Sequence, residues 1–188
     1  MHSAFVFTLA FTALHVYWAV GGTWGLPLLA LHNAEAVRTV NWAVSALMLI
    51  GAFVVLGLNR PVARKVPSWM LLVPIWAGTV VCVSHALYGF VTKGLYLSGQ
   101  QNAVDFPVVP GVDPATAAEK NHLSALHDLL VFEPAFLIQG VLLALAGLQF
   151  LTTAAGRRRW SVSLIVGVLA IDAFGVALAL AGLRFAVN

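Results

Sequence analysis

The sequence predicts an all-α fold: an integral membrane bundle of five transmembrane helices, with residues 1–188 forming a single domain. Three observations predict it. Of the 188 residues, 61% are hydrophobic and only 9% charged, against about 25% charged in a typical soluble domain. The apolar residues fall into five runs, each suited to crossing a hydrocarbon core of about 30 Å. Between the runs stand turn formers and cations, such as Gly21-Gly22, Asn59-Arg60-Pro61 and Gly156-Arg157-Arg158-Arg159. The same composition excludes a water-soluble globular chain. The net charge of +3 arises in small basic turns, so it reflects membrane orientation and not a nucleic-acid face. Cys82 stands alone, which excludes an internal disulfide and a thiol-based quinone-reducing centre.

The first helix is expected over about 3–20. It begins almost at Met1 without a basic leader region and runs through His15, Tyr17 and Trp18, as a retained helix would. Gly21 to Pro27 breaks it at a membrane interface. Asn33 is placed to cap the second helix, about 34–58, and a basic turn from Asn59 to Lys65 follows. Ser68 is the expected cap of the third helix, about 69–91, where Pro74 falls early enough to do limited damage. The longest loop then runs from Thr92 to Asp113. Its segment Asp105–Gly111 is too rich in proline to be helical and too apolar for a simple tether. Asp113-Pro114 is a helix start, with aspartate as cap and proline at the first helical position. The fourth helix, about 114–151, exceeds one crossing, so its first two turns should stand outside the membrane. The fifth is expected over about 160–185, after the Arg157–Arg159 turn.

Six cations, Arg60, Arg64, Lys65 and Arg157 to Arg159, lie on one side. Arg38, Lys93, Lys120 and Arg184 lie on the other, diluted by Glu35, Asp105, Asp113 and Glu119. The positive-inside rule therefore places the basic turns and the N-terminus in the cytoplasm and the C-terminus outside.

The segment Leu14-His15-Val16-Tyr17-Trp18-Ala19-Val20-Gly21-Gly22-Thr23-Trp24-Gly25 resembles the opening motif of a family of small bacterial polytopic membrane proteins, assigned only as a domain of unknown function. Glu133-Pro134-Ala135-Phe136-Leu137 is similar to that family's short polar-Pro-x-x-Leu pattern. The resemblance touches about a fifth of the chain and implies the fold and a bacterial plasma membrane, but no chemistry. The chain departs from the family's usual small polar residue at Glu133, and from its frequent count of four helices.

An ionisable side chain at membrane depth costs roughly 2.5–3.5 kcal/mol even on the mildest scale, so each one calls for a partner or a role. Counting rise from Ser124 puts Glu133 about 13 Å deep, near the midplane. Asp128 and His127 fall one turn inside the boundary, His85 and His15 in the outer part of their helices, and Asp172 mid-way along the fifth. Polar groups thus gather in one half of the bundle. Pro134 removes a backbone donor and should loosen the helix at Leu130. Each residue also has a plainer use. A lone membrane histidine commonly bonds a facing carbonyl, Asp172 can pair with a histidine for packing, and Trp24, Trp42, Trp69 and Trp160 fit interfacial belts.

Glu133, Asp172, His85, His15, Asp128 and His127 are the catalytic candidates. Trp18, Trp24, Trp76, Tyr88, Phe132, Phe136 and Gln139 are the candidates for lining a lipophilic substrate. A carboxylic acid kept neutral by apolar surroundings can donate a proton, and aromatic faces stabilise a carbocation. That chemistry suits isomerisation or cyclisation of an isoprenoid- or sterol-like molecule. Five-helix sterol isomerases are similar in helix count and in setting acids beside tryptophans, an analogy without a motif match. The alternatives are a non-enzymatic membrane accessory or lipid-binding protein, and a haem held by His15 and His85. No cofactor or metal is expected, since no ligand cluster such as HExxH is present, and transport lacks an inverted repeat. The expected partners are membrane lipids and a lipophilic small molecule, with no nucleic acid.

Overall fold

The computed structural model describes residues 1–27, 32–106 and 108–180. Among the described residues no strand occurs. Five long helices follow one another: α1 (His2–Ala19), α2 (Ala34–Gly57), α3 (Ser68–Leu97), α4 (Pro114–Phe150) and α5 (Ala154–Leu180). The last four are long and apolar enough to cross a membrane, which marks an integral membrane protein. α1 is shorter and more polar, with His2, His15, Tyr17 and Trp18 in its 18 residues.

The starts and ends of α1 and α2, and both ends of α4, lie within a residue of expectation. Asp113 caps α4 as its sequence implies, accepting the Ala115 and Thr116 N–H groups at 3.1 and 3.0 Å. Hydrogen bonding, from Thr116 foremost, holds that carboxyl below the usual carboxylate range. Two caps differ. Asn33 occupies the cap position of α2 but makes no side-chain bond there, and Ser68 is the first residue of α3, behind Pro67.

Two boundaries move. α3 continues six residues past the expected end at Val91, because Lys93 is not a loop cation but turns back onto the buried Glu133 and the partly buried Asp128. Thr92 is absorbed as well, its hydroxyl donating to the Tyr88 carbonyl at 2.9 Å. α5 begins at Ala154, so the three arginines sit in its opening turns. Thr153 makes this possible, its hydroxyl accepting the Gly156 N–H at 3.0 Å. The expected end of this helix, with Arg184, lies outside the described residues, as does Pro107 of the long loop.

The helices pack as two neighbouring pairs, α1 with α2 and α3 with α4; α1 also meets α4, and α5 leans on α3. One apolar core joins all five at the Met1 end, from Ala4, Val55, Leu58, Ile75, Val80, Leu143, Ala146, Trp160 and Leu164. The other half of the bundle is where polar side chains are buried. α1 prepares it with Thr8 and Thr12, whose hydroxyls donate to the Ala4 and Thr8 carbonyls at 2.7 Å. The long loop folds back on the helix ends: Phe106 meets Tyr96 edge-on at 5.0 Å and Val109 is buried.

Candidate functional site

α4 carries the site at an irregularity. Pro134 has no N–H to offer the Leu130 carbonyl, and the helix passes this point through a π turn, Asp128–Phe132. The Glu133 N–H donates to the Asp128 carbonyl, five residues back. In a regular α-helix residues five apart diverge by about 140°. The wider turn sets them one above the other, so Asp128 and Glu133 face α3 together.

α3 answers with His85, Gly89 and Lys93, spaced four apart along one face. Gly89 is the gap through which the Glu133 carboxylate enters; a Cβ there would overlap it. His85 Nδ1–H donates to Glu133 Oε2 at 3.0 Å, and the Lys93 ammonium donates to Glu133 Oε1 at 2.7 Å. Lys93 also reaches Asp128 Oδ2 at 3.2 Å. The ammonium thus occupies the position between two carboxylates that a cation would take. Among the described residues no group of three His, Cys, Asp or Glu side chains gathers as a metal site.

Burial is graded across the cluster. The Glu133 side chain is 1% exposed and the His85 side chain 48%. His85 stacks on Phe136 at 4.0 Å, and its helical face continues through the exposed Val81 and Tyr88. With Nδ1 held by Glu133, Nε2 is the ring nitrogen left for other partners. One ammonium faces two carboxylates, and the His85 imidazole completes the cluster. Both Glu133 oxygens are taken by nitrogen donors. Glu133, expected to stand in apolar surroundings, instead meets a nitrogen at each oxygen.

A second group lies beside it on α1. His15 Nδ1–H donates to Asn41 Oδ1 at 2.8 Å, while the Asn41 amide donates to the Val37 carbonyl. His15 Nε2 is buried without a partner among the described residues. Phe11 and Phe136, 4.9 Å apart, connect His15 to His85 ring by ring, filling the path between the two imidazoles. The Gly-rich turn after α1 folds down over the π turn. Tyr17 Oη accepts the Thr23 and Trp24 N–H groups, and the Trp18 indole donates to the Trp24 carbonyl at 2.8 Å. Gly25, at φ 77°, lies so close to Phe132 that a Cβ would overlap the ring. Trp18 and Trp24 then meet Phe132 edge-on, and Trp24 meets His127 at 5.9 Å.

The structure therefore brings together Glu133, His85, Asp128, Phe136 and, along the exposed face, Tyr88. His15, His127, Trp18, Trp24 and Phe132 form the adjoining aromatic wall. Three candidates lie elsewhere. Gln139 is a buried tie whose amide donates to Thr8 Oγ1 at 2.8 Å, and Trp76 packs toward Gly167 of α5. Asp172 sits on α5, with no hydrogen bond or ion pair to the cluster among the described residues. Two residues were missed: Lys93, which the sequence places in the long loop, and Asn41, whose signal is a lone amide in an apolar helix.

The turn pinned by Tyr17 and Trp18 closes over Phe132 of the π turn. A family model described as protein of unknown function, DUF3995, matches residues 8–143. The chain belongs to this family. The match takes in α1 from Thr8, all of α2 and α3, and α4 as far as Leu143, and so the whole cluster, while α5 lies beyond it. No curated protein matches the chain, and no solved structure does.

Proposed function

We propose that this DUF3995 protein is a membrane enzyme that moves protons on a lipophilic, isoprenoid- or sterol-like substrate, isomerising or cyclising it. The observation that carries the reading is the half-exposed His85 imidazole, tied through Nδ1 to the fully buried Glu133. A carboxylate behind an imidazole fixes its tautomer and ring plane and stabilises its protonated form. In an isomerisation, the imidazolium Nε2–H protonates one carbon of a double bond. The carbocation formed lies near the ring of Phe136, and loss of a proton from a neighbouring carbon back to Nε2 sets the double bond in a new place. Substrate and product have the same composition, and His85 ends as it began. The row Val81, His85, Tyr88 faces outward from an apolar helix, which suits entry from the bilayer. Glu133 is then a positioning group held by Lys93, which Asp128 holds in turn.

The test needs no prior substrate. The purified protein is incubated with membrane lipid extract in deuterated water and the lipids are weighed by mass spectrometry. One lipid class should gain deuterium with the native chain, and His85→Gln should slow that gain by about 10²–10⁴-fold. No exchange above the protein-free control would end the enzyme reading. A non-enzymatic accessory or lipid-binding role is the second reading. It is favoured by the clefts at the two ends of the bundle, where polar side chains and an apolar floor meet.

We also read α1 as a fifth crossing, since it runs beside α2, and the bacterial plasma membrane as the location, with the basic turns in the cytoplasm.

A further inference from the structure

At the Met1 end a cleft of about 600 Å³ opens between the α2–α3 turn and the end of α4. Its polar lining is Asn59, Arg60, Ser68, Gln149, Thr152 and the Met1 ammonium, which donates to Gln149 Oε1 at 3.1 Å, and its apolar lining includes Leu58, Val66 and Phe150. The residues sit where helices end, so polar groups and apolar floor meet at the depth of lipid headgroups. Charge is one-sided here. All seven acidic residues of the chain lie elsewhere, at Glu35, Asp105, Asp113, Glu119, Asp128, Glu133 and Asp172. Among the described residues Arg60 therefore has no carboxylate partner. A second guanidinium is fixed at the rim: Arg157 Nε–H donates at 2.9 Å to the carbonyl of Leu151, the residue between the lining Phe150 and Thr152.

We propose that this cleft binds the phosphate diester of an anionic phospholipid, with Arg60 as its main contact. A guanidinium grips phosphate through two parallel N–H bonds, and the hydroxyls of Ser68 and Thr152 and the amides of Asn59 and Gln149 supply further donors. The floor of Leu58, Val66 and Phe150 suits the glycerol end of the acyl chains and favours a lipid over a soluble phosphate. The site lies at the opposite end of the bundle from His85, and it stands whether or not the chain is an enzyme.

Native mass spectrometry of the full chain in detergent tests it with three probes: phosphatidylglycerol, phosphatidylcholine, and glycerophosphoglycerol, the same diester without acyl chains. Phosphatidylglycerol should bind at least about tenfold more tightly than phosphatidylcholine, with glycerophosphoglycerol far weaker than either lipid. Arg60→Gln should remove that preference, Arg60→Lys should retain part of it by keeping charge without the fork, and Arg158→Gln, a cation outside the cleft, should leave it intact. Equal binding of the two lipids would overturn the proposal. So would an equal loss in Arg158→Gln, which would mark a diffuse basic surface, and so would glycerophosphoglycerol binding as tightly as the lipid.

Discussion

Glu133 is buried deeply enough that its partners decide what its charge costs. Removing one member of a buried ion pair leaves the other uncompensated, at about 3–5 kcal/mol, whereas replacing both with apolar groups of similar size is often nearly neutral. Lys93→Met should therefore destabilise the bundle by roughly that amount in a detergent melting experiment. Adding Glu133→Leu to it should restore much of the loss, and an additive double variant would show that the two side chains do not act as a pair. The same contacts set the ionisation state. Difference infrared spectra of the native chain against Glu133→Gln should show a carboxylate stretch near neutral pH, and a protonated C=O stretch would return the proton to Glu133. Much at this scale was legible in the sequence: charge in an apolar helix identified Glu133, and one face each of α3 and α4 held His85 and Asp128. Lys93 was not, because a cation following Val91 and Thr92 looks like a loop residue until its partners are known. A linear sequence does not state which charges cancel.

The π turn is what makes α4 more than a long apolar helix. Pro134 predicted a loosened backbone, and the structure resolves the loosening into a turn that aims two carboxylates at α3. The direction of that aim was not legible, since a missing N–H tells where a helix is disturbed but not how it recovers. Gly89 is the complementary feature on α3. Glycine inside a helix costs about 1 kcal/mol relative to alanine, so Gly89→Ala should stabilise α3 taken by itself. Here the added methyl would meet the Glu133 carboxylate, which His85 and Lys93 prevent from swinging aside. Overpacking of this kind costs about 1–3 kcal/mol and outweighs the propensity gain. A lower melting temperature for Gly89→Ala is the expected result, and in a Glu133→Ala background, itself destabilised by the loss of the ion pair, the added methyl should cost nothing further. A Gly89→Ala chain more stable than the native one would mean that the carboxylate is not seated in this gap.

At the scale of the whole molecule, charge is distributed more unevenly than the sequence alone suggested. Six cations remain at the Met1 end, and among the described residues no ion pair with an acid involves them. Of the four counted for the opposite end, Lys93 is neutralised inside the bundle and Arg184 lies outside the described residues. Arg38 and Lys120 are left there, in company with Glu35, Asp105, Asp113 and Glu119. Since the rule counts lysine and arginine in short loops near the ends of spans, moving Lys93 into a helix widens the bias that orients the chain. A reporter fused after Arg159 should accordingly read as cytoplasmic, and reporters inserted after Gly99 or fused after Asn188 as external. The three sites divide the possible errors. Opposite signals at all three would invert the bundle and put the His85 cluster in the inner leaflet, leaving its chemistry untouched. Agreement between the Arg159 and Asn188 reporters would instead remove α5 as a crossing, and the family match to residues 8–143 would then cover most of the membrane-spanning part.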